Sequence, residues 1–178
     1  GDDGQLCRAG YHRTQHRQLK TAGQPPQAGR PGHAPRPVAP FDAGPPPAAH
    51  SAARLASTRR GDHVLVAVDA EHRVVGYAFS GTYRPRTAYD GTREVSVYLA
   101  EHARGRGLGR RLYDELLARV DADGIHTCVA VIAQPNPASE ALHRALGFEH
   151  VGTLREVGHK FGHWVDTAFW QRLRPEPT

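Results

Sequence analysis

Hydrophobic and polar positions divide the chain into a patternless first third and an ordered remainder. From His63 the apolar residues fall into short runs. Val64-Leu-Val-Ala-Val68 and Arg73-Val-Val-Gly-Tyr-Ala-Phe79 predict two strands, and the polar tetrad Asp69-Ala-Glu-His72 between them predicts a hairpin turn. Residues 81–92 carry Gly81, Pro85, Asp90 and Gly91 and predict a loop, followed by a third strand from about Arg93 to Ala100. Between Leu108 and Ala122 the period changes. Leu108, Leu112, Leu116 or Leu117, and Val120 recur at helical spacing, and Gly124 ends the pattern. Ile125-His-Thr-Cys-Val-Ala-Val-Ile132 is apolar almost throughout, as expected for a strand inside a sheet. A second helix follows, with Asn136 as N-cap, Pro137 in its first position and Gly147 at its end. Strands from Phe148 to about Val157 and from Trp164 to about Leu173 complete the order ββ–β–α–β–α–β–β. That is a mixed α/β sheet, not a repeated βαβ fold.

Residues 1–60 contain nine of the fourteen prolines and only six Val, Ile, Leu, Phe, Trp or Tyr residues. Too little apolar surface is available there to offset the entropy of ordering, so residues 1 to about 50 are expected to be disordered or weakly structured. Residues 48–58 are expected to form a short helix. Three segments result: an arm over residues 1–60, an ordered domain over residues 61–174, and a tail over residues 175–178.

Charge changes the picture in one respect. The net +5 is carried by the arm, with nine Arg or Lys against three Asp or Glu, whereas residues 61–178 hold fourteen against fifteen. The arm lacks interleaved aromatics, so its charge predicts a solvated segment and no nucleic-acid partner. Two cysteines, Cys7 and Cys128, suggest neither a disulfide framework nor a CxxC metal pair, and Cys128 reads as a small buried hydrophobe. The twelve histidines come with no clustered carboxylate pattern, so no metal is expected. No apolar run is long enough for a membrane span and no signal-peptide pattern opens the chain, which makes a cytoplasmic location the default expectation. The chain has no methionine, so residue 1 is not expected to be the translation start.

The chemistry centres on Arg104-Gly-Arg-Gly-Leu-Gly109, which lies between the third strand and the first long helix. Glycines permit a turn that exposes backbone N–H groups, and a helix N-terminus adds its own unpaired donors and positive dipole end. Flanked by guanidinium groups, this is a cradle for phosphate or pyrophosphate, or else merely a tight strand-to-helix turn. It has neither the full GxGxxG spacing nor the Gly-Lys-Ser/Thr ending of a nucleotide loop.

In this setting, Arg104-x-x-Gly107-x-Gly109 resembles the acetyl-CoA pyrophosphate loop of GNAT-superfamily N-acetyltransferases, and Asn136…Leu142-His143…Gly147-Phe148 resembles their second cofactor segment. Ala88-Tyr-Asp90, Thr92-Arg-Glu94, Val97-Tyr98, Val129-Ala-Val-Ile132, Leu142-His-Arg-Ala-Leu-Gly-Phe148 and His163-Trp-x-Asp166…Phe169-Trp-Gln171 are similar to the phosphinothricin and methionine sulfoximine N-acetyltransferases. Similarity runs from about Val64 to Gln171. It does not extend over residues 1–60, where that family supplies a first strand and two helices that help wall the substrate site.

The resemblance implies a GNAT fold whose N-terminal strand and helices are missing or replaced, acetyl-CoA as co-substrate, an amino-acid-like primary amine as acceptor, and a homodimer. It implies Glu94 as general base and His143 as general acid or thiolate stabiliser. Backbone N–H groups of Val97, Tyr98 and Leu99 would meet the acyl carbonyl. Arg104, Gly105, Arg106, Gly107, Leu108, Gly109 and Arg110 would hold the pyrophosphate, and Asn136 the pantetheine arm. Arg86 and Tyr89 would line the acceptor pocket, with Arg84 as competitor and His163 and Trp164 at its border. Read without the resemblance, Glu94 is equally a solvated strand-end carboxylate, His143 a structural helix histidine and Tyr113 a core residue. A different small amine, or CoA binding without catalysis, stays open as an alternative.

Overall fold

A computed structural model describes the backbone of residues 5–8 and 48–174 and the side chains of residues 52–174. Its strands are β1 (Gln5–Arg8), β2 (His63–Val68), β3 (Val74–Thr82), β4 (Thr92–Leu99), β5 (Thr127–Ala133), β6 (Glu149–Lys160) and β7 (His163–Leu173). Its helices are α1 (Ala48–Ala56), α2 (Leu108–Ala122) and α3 (Pro137–Ala145). The expected order is observed. The strands form one sheet in the order β1-β2-β3-β4-β5-β7-β6, antiparallel throughout except where β4 runs parallel to β5.

Two elements depart from expectation. Gln5–Arg8, within the stretch read as weakly structured, lies antiparallel on the edge of β2 in register with Leu65 to Val68. An edge strand needs only backbone pairing from its neighbour, which four residues in a polar arm can provide. The rest of the arm up to residue 47, and the tail, lie outside the described residues. Strand β6 continues beyond Val157 to Lys160 because β7 pairs with it along its length, accommodating a register shift between Leu154 and Gly158. The Asp166 carboxylate accepts the Glu156 backbone N–H at 2.7 Å inside that irregularity.

Helix α2 buries Leu112, Leu116, Leu117 and Val120 of the stripe that its spacing predicts, and Tyr113 beside them, while Leu108 is only partly buried against the core. These residues join Leu65, Ala67, Ala78 and Val95 from one face of β2–β4, and Cys128, Ala130 and Ile132 from β5. Side chains alternate along a strand, so Glu94, Ser96 and Tyr98 occupy the opposite face with Tyr77 and Phe79. Below the sheet's central seam, Arg93 is 3% exposed and 2.9 Å from the Asp62 carboxylate through Nε. That contact is misaligned for a hydrogen bond, so the attraction is chiefly Coulombic. The guanidinium donates instead to the carbonyls of Arg60, Asp90 and Thr92, tying the segment after α1 to β4.

Candidate active site

The seam between β4 and β5 is paired at only three positions, Thr92 with Thr127, Arg93 with Cys128 and Glu94 with Val129. Beyond Glu94 the register with β5 ends, although β4 continues to Leu99 and β5 to Ala133. The strands therefore part, and a cleft of about 390 Å³ fills the gap. Backbone N–H groups alternate sides along a strand. The Ala100 N–H reaches back to the Val75 carbonyl, and Gly91 presents its carbonyl to the start of β5. It follows that Val97 and Leu99 direct their N–H groups into the gap, while the Tyr98 N–H faces β3.

At the far end of β4 the cleft meets the glycine loop. Gly107 is the N-cap of α2 with φ +75°, a conformation that an L side chain strains to adopt, and no side chain caps the helix. The first intrahelical bond is from the Arg111 N–H to the Gly107 carbonyl, which leaves the N–H groups of residues 108–110 available at the positive end of the dipole. Gly109 is buried for another reason. A Cβ there would lie 3.3 Å from Leu99 Cδ1, so its absence lets α2 start tight against the end of β4. Arg104 and Arg110 flank the loop. Arg104 Nε makes a long contact of 3.4 Å to the Leu99 carbonyl, and Arg110 lies 3.5 Å from Asp114 in an exposed pair.

The third wall is α3. Asn136 caps it as expected, its Oδ1 accepting the Ser139 N–H at 3.1 Å, with Pro137 in the first turn. One turn further, His143 is 3% exposed. Its Nδ1 lies 2.7 Å from the Ser139 carbonyl oxygen, which can only accept, so Nδ1 carries the proton. Nε2 is then bare and accepts the hydroxyl of Tyr113, 3.1 Å away. Tyr113, read from sequence as a core residue, is indeed fully buried, but it also lines the cleft. Burial pushes the His143 imidazole below its ordinary value, the Ser139 carbonyl opposing, and pushes the Tyr113 phenol well up. The pair is thus neutral near pH 7.

Among the expected site residues, Val97, Tyr98, Leu99, Arg104, Gly105, Gly107, Gly109, Arg110, Asn136 and His143 line this one cleft. Arg106 and Leu108 belong to the loop but do not line it. Glu94 stands at the point where the strands part, half-buried on the opposite face from α2. Burial raises its pKa above the ordinary carboxylate value, and the nearby Arg54 charge acts the other way. In the β3–β4 loop Arg86 precedes, and Tyr89 ends, the short 3-10 turn Thr87–Tyr89. Arg86 is exposed, and Tyr89 sets its ring edge-on to Tyr83 at 5.8 Å. His163 and Trp164 are exposed at the start of β7 and do not border the cleft. Among the described residues, no three His, Cys, Asp or Glu come together as a metal group, and no helix is long and apolar enough to cross a membrane.

The chain is similar to known proteins in sequence and in fold. The profile of the Acetyltransferase (GNAT) family matches residues 33–148, a span that begins inside the proline-rich arm. An L-methionine sulfoximine/L-methionine sulfone acetyltransferase of Pseudomonas paraeruginosa is 47% identical over 123 residues, 69% of this chain and 71% of that protein. A phosphinothricin N-acetyltransferase of Streptomyces coelicolor is 49% identical over 108 residues, 60% of this chain and 63% of that protein. The crystal structure of a GNAT superfamily phosphinothricin acetyltransferase from Sinorhizobium meliloti, in complex with acetyl-CoA, superposes with a TM-score of 0.69 at 45% identity. That match covers 75% of this chain and 73% of the other. With a parted β4–β5 seam, a glycine-capped α2 and these relatives, the chain belongs to the GNAT family of acetyltransferases.

Proposed function

We propose that this protein transfers the acetyl group of acetyl-CoA to the primary amine of an amino-acid-like molecule of the methionine sulfoximine or phosphinothricin type. One observation carries the reading. The β4–β5 pairing ends at Glu94, a raised-pKa carboxylate, and from the next residue, Val95, a single cleft runs along β4 to the glycine loop. A candidate base and an anion cradle thus stand at the two ends of one parted strand. Acetyl-CoA supplies the activated acyl group. The N–H groups of residues 108–110, with Arg104 and Arg110, hold its pyrophosphate, and Asn136, which lines the same cleft, bonds the pantetheine arm in this reading.

Glu94, whose carboxylate holds a proton more firmly than a solvated glutamate, takes the proton that the attacking amine must lose, directly or through water. The N–H groups of Val97 and Leu99 donate to the carbonyl oxygen as negative charge builds on it. The sulfur departs as thiolate at the Tyr113–His143 wall of the cleft. There the Tyr113 hydroxyl turns from His143 Nε2 to donate its proton to the sulfur in a hydrogen bond, while the Ser139 carbonyl keeps the imidazole in place. Arg86 and Tyr89 lie at the acceptor end in this reading, and the domain spans residues 61–174. Cytoplasmic residence and a homodimer complete it.

Incubating the full chain with acetyl-CoA and a panel of methionine sulfone, methionine sulfoximine, phosphinothricin and a polyamine, and following free thiol, tests it. Thiol release with the amino-acid-like amines is expected. Release with the polyamine alone would shift the acceptor class. Acetyl-CoA binding by calorimetry without release from any amine would leave a CoA-binding protein.

A further inference from the structure

On the face of the sheet opposite α2, Tyr77, Phe79 and Tyr98 form a stacked aromatic floor. Tyr77 and Tyr98 are 4.9 Å apart between centroids, and Phe79 and Tyr98 6.3 Å. Phe79 pairs with Ser96, so Glu94 is its diagonal neighbour on β4, about 7–8 Å away by ordinary sheet geometry. Over this floor lies Arg54, from the last turn of α1, its guanidinium carbon 3.9 Å above the centre of the Phe79 ring. A stacked guanidinium keeps its in-plane N–H donors free to meet an anion edge-on. The floor therefore presents a carboxylate and a guanidinium side by side over an apolar surface. An α-amino acid offers the complement of that pattern, an amine and a carboxylate on one carbon followed by a side chain.

We infer that Arg54 is the residue that recognises the acceptor's α-carboxylate, setting the amine toward Glu94 and making the enzyme selective for amino acids over simple amines. The inference rests on the acetyl-transfer reading above and gives the carboxylate to α1, whereas the resemblance supplies Arg86 of the β3–β4 loop as the guanidinium that lines the acceptor pocket. Arg86 is exposed beside its 3-10 turn, whereas Arg54 is held over the floor by Phe79 and is close enough for its charge to act on Glu94.

The test compares methionine sulfone with the amine obtained by removing its carboxylate, as the ratio of kcat/KM for the two acceptors at saturating acetyl-CoA. In the full-length Arg54→Gln variant the ratio falls roughly ten- to hundredfold, the value of one charge-assisted contact, chiefly through KM of the amino acid. Arg54→Lys recovers part of it. Acetyl-CoA affinity by calorimetry stays at the wild-type value, because the glycine cradle is formed by other elements, and this doubles as the check on folding. An unchanged ratio in Arg54→Gln, with a drop in Arg86→Gln, overturns the assignment of Arg54 and leaves the acetyltransferase reading intact. Wild-type protein that binds acetyl-CoA but acetylates neither acceptor overturns that reading and this inference with it.

Discussion

Removing one oxygen atom tests the proton arrangement at the heart of the cleft. Tyr113→Phe leaves the ring against Phe148 and His143 but deletes the hydroxyl that donates to His143 Nε2 at 3.1 Å. Tyr113 is fully buried and His143 is 3% exposed, so Nε2 loses its protein donor at a place where only water from the cleft that both residues line can stand in for it. Such a loss costs about 1–3 kcal/mol. For a chain of this length, each kcal/mol lowers the melting midpoint by about 2–4 °C, so a 2 kcal/mol loss predicts a fall of about 4–8 °C. Calorimetry of both proteins at pH 7.5 measures it.

The acid side gives an independent readout. Burial depresses the folded-state pKa of His143 below the unfolded value, which lies near about 6.5. The associated stability is complete above that unfolded value and is lost as pH falls toward the depressed folded one. In the Phe variant the neutral imidazole loses a bond that favoured it. Its folded pKa then rises toward the ordinary value and the loss of stability on acidification below neutrality shrinks. A double-mutant cycle with His143→Leu should show a coupling of about 0.5–3 kcal/mol. An unchanged midpoint together with an unchanged acid slope would refute both the hydrogen bond and the tautomer inferred from the Ser139 carbonyl.

Three other perturbations probe separate parts of the molecule. Glu94→Gln should cut turnover and abolish the acid limb of the kcat/KM profile, a limb that in the wild type lies above the ordinary glutamate pKa because burial raises it; acetyl-CoA affinity should stay nearly constant. Gly107→Ala meets open space but a φ of +75°, so pure backbone strain of about 1–2 kcal/mol should appear in chemical denaturation, with weaker acetyl-CoA binding by calorimetry. Asp62→Ala leaves the buried Arg93 without its counter-charge and should cost roughly 3–5 kcal/mol, read as a lower urea midpoint with unchanged m.

Local signals made most of the cofactor half legible. The leucines of α2, the Asn136-Pro137 start of α3 and the glycines of the loop each act within a turn or two of their own position, and the structure places them as their spacing implies. The signals that failed are long-range. Nothing in Gln5–Arg8 marks a strand, because its partner is β2, far along the chain. The reach of β6 to Lys160 depends on β7 and on Asp166 holding the irregular backbone. Tyr113 looks like one more apolar position on α2 until α3 brings His143 to it, so a buried aromatic facing a buried imidazole was invisible to periodicity. Arg54 sits in a segment of low complexity, and only the folded sheet puts Phe79 beneath it.

The parting of β4 from β5 also bears on the kinetic order of the reaction. Donor and acceptor reach the gap from different directions, the one along the glycine loop and α3, the other across the aromatic floor, so on the proposed reading neither needs to leave before the other enters. The nearest cysteine offers no covalent way-station. Cys128 is buried at the closed end of the seam, and burial pushes its thiol up to about 12. Initial-rate plots against both substrates should therefore intersect, the signature of a ternary complex, and the parallel lines of a ping-pong exchange should not appear.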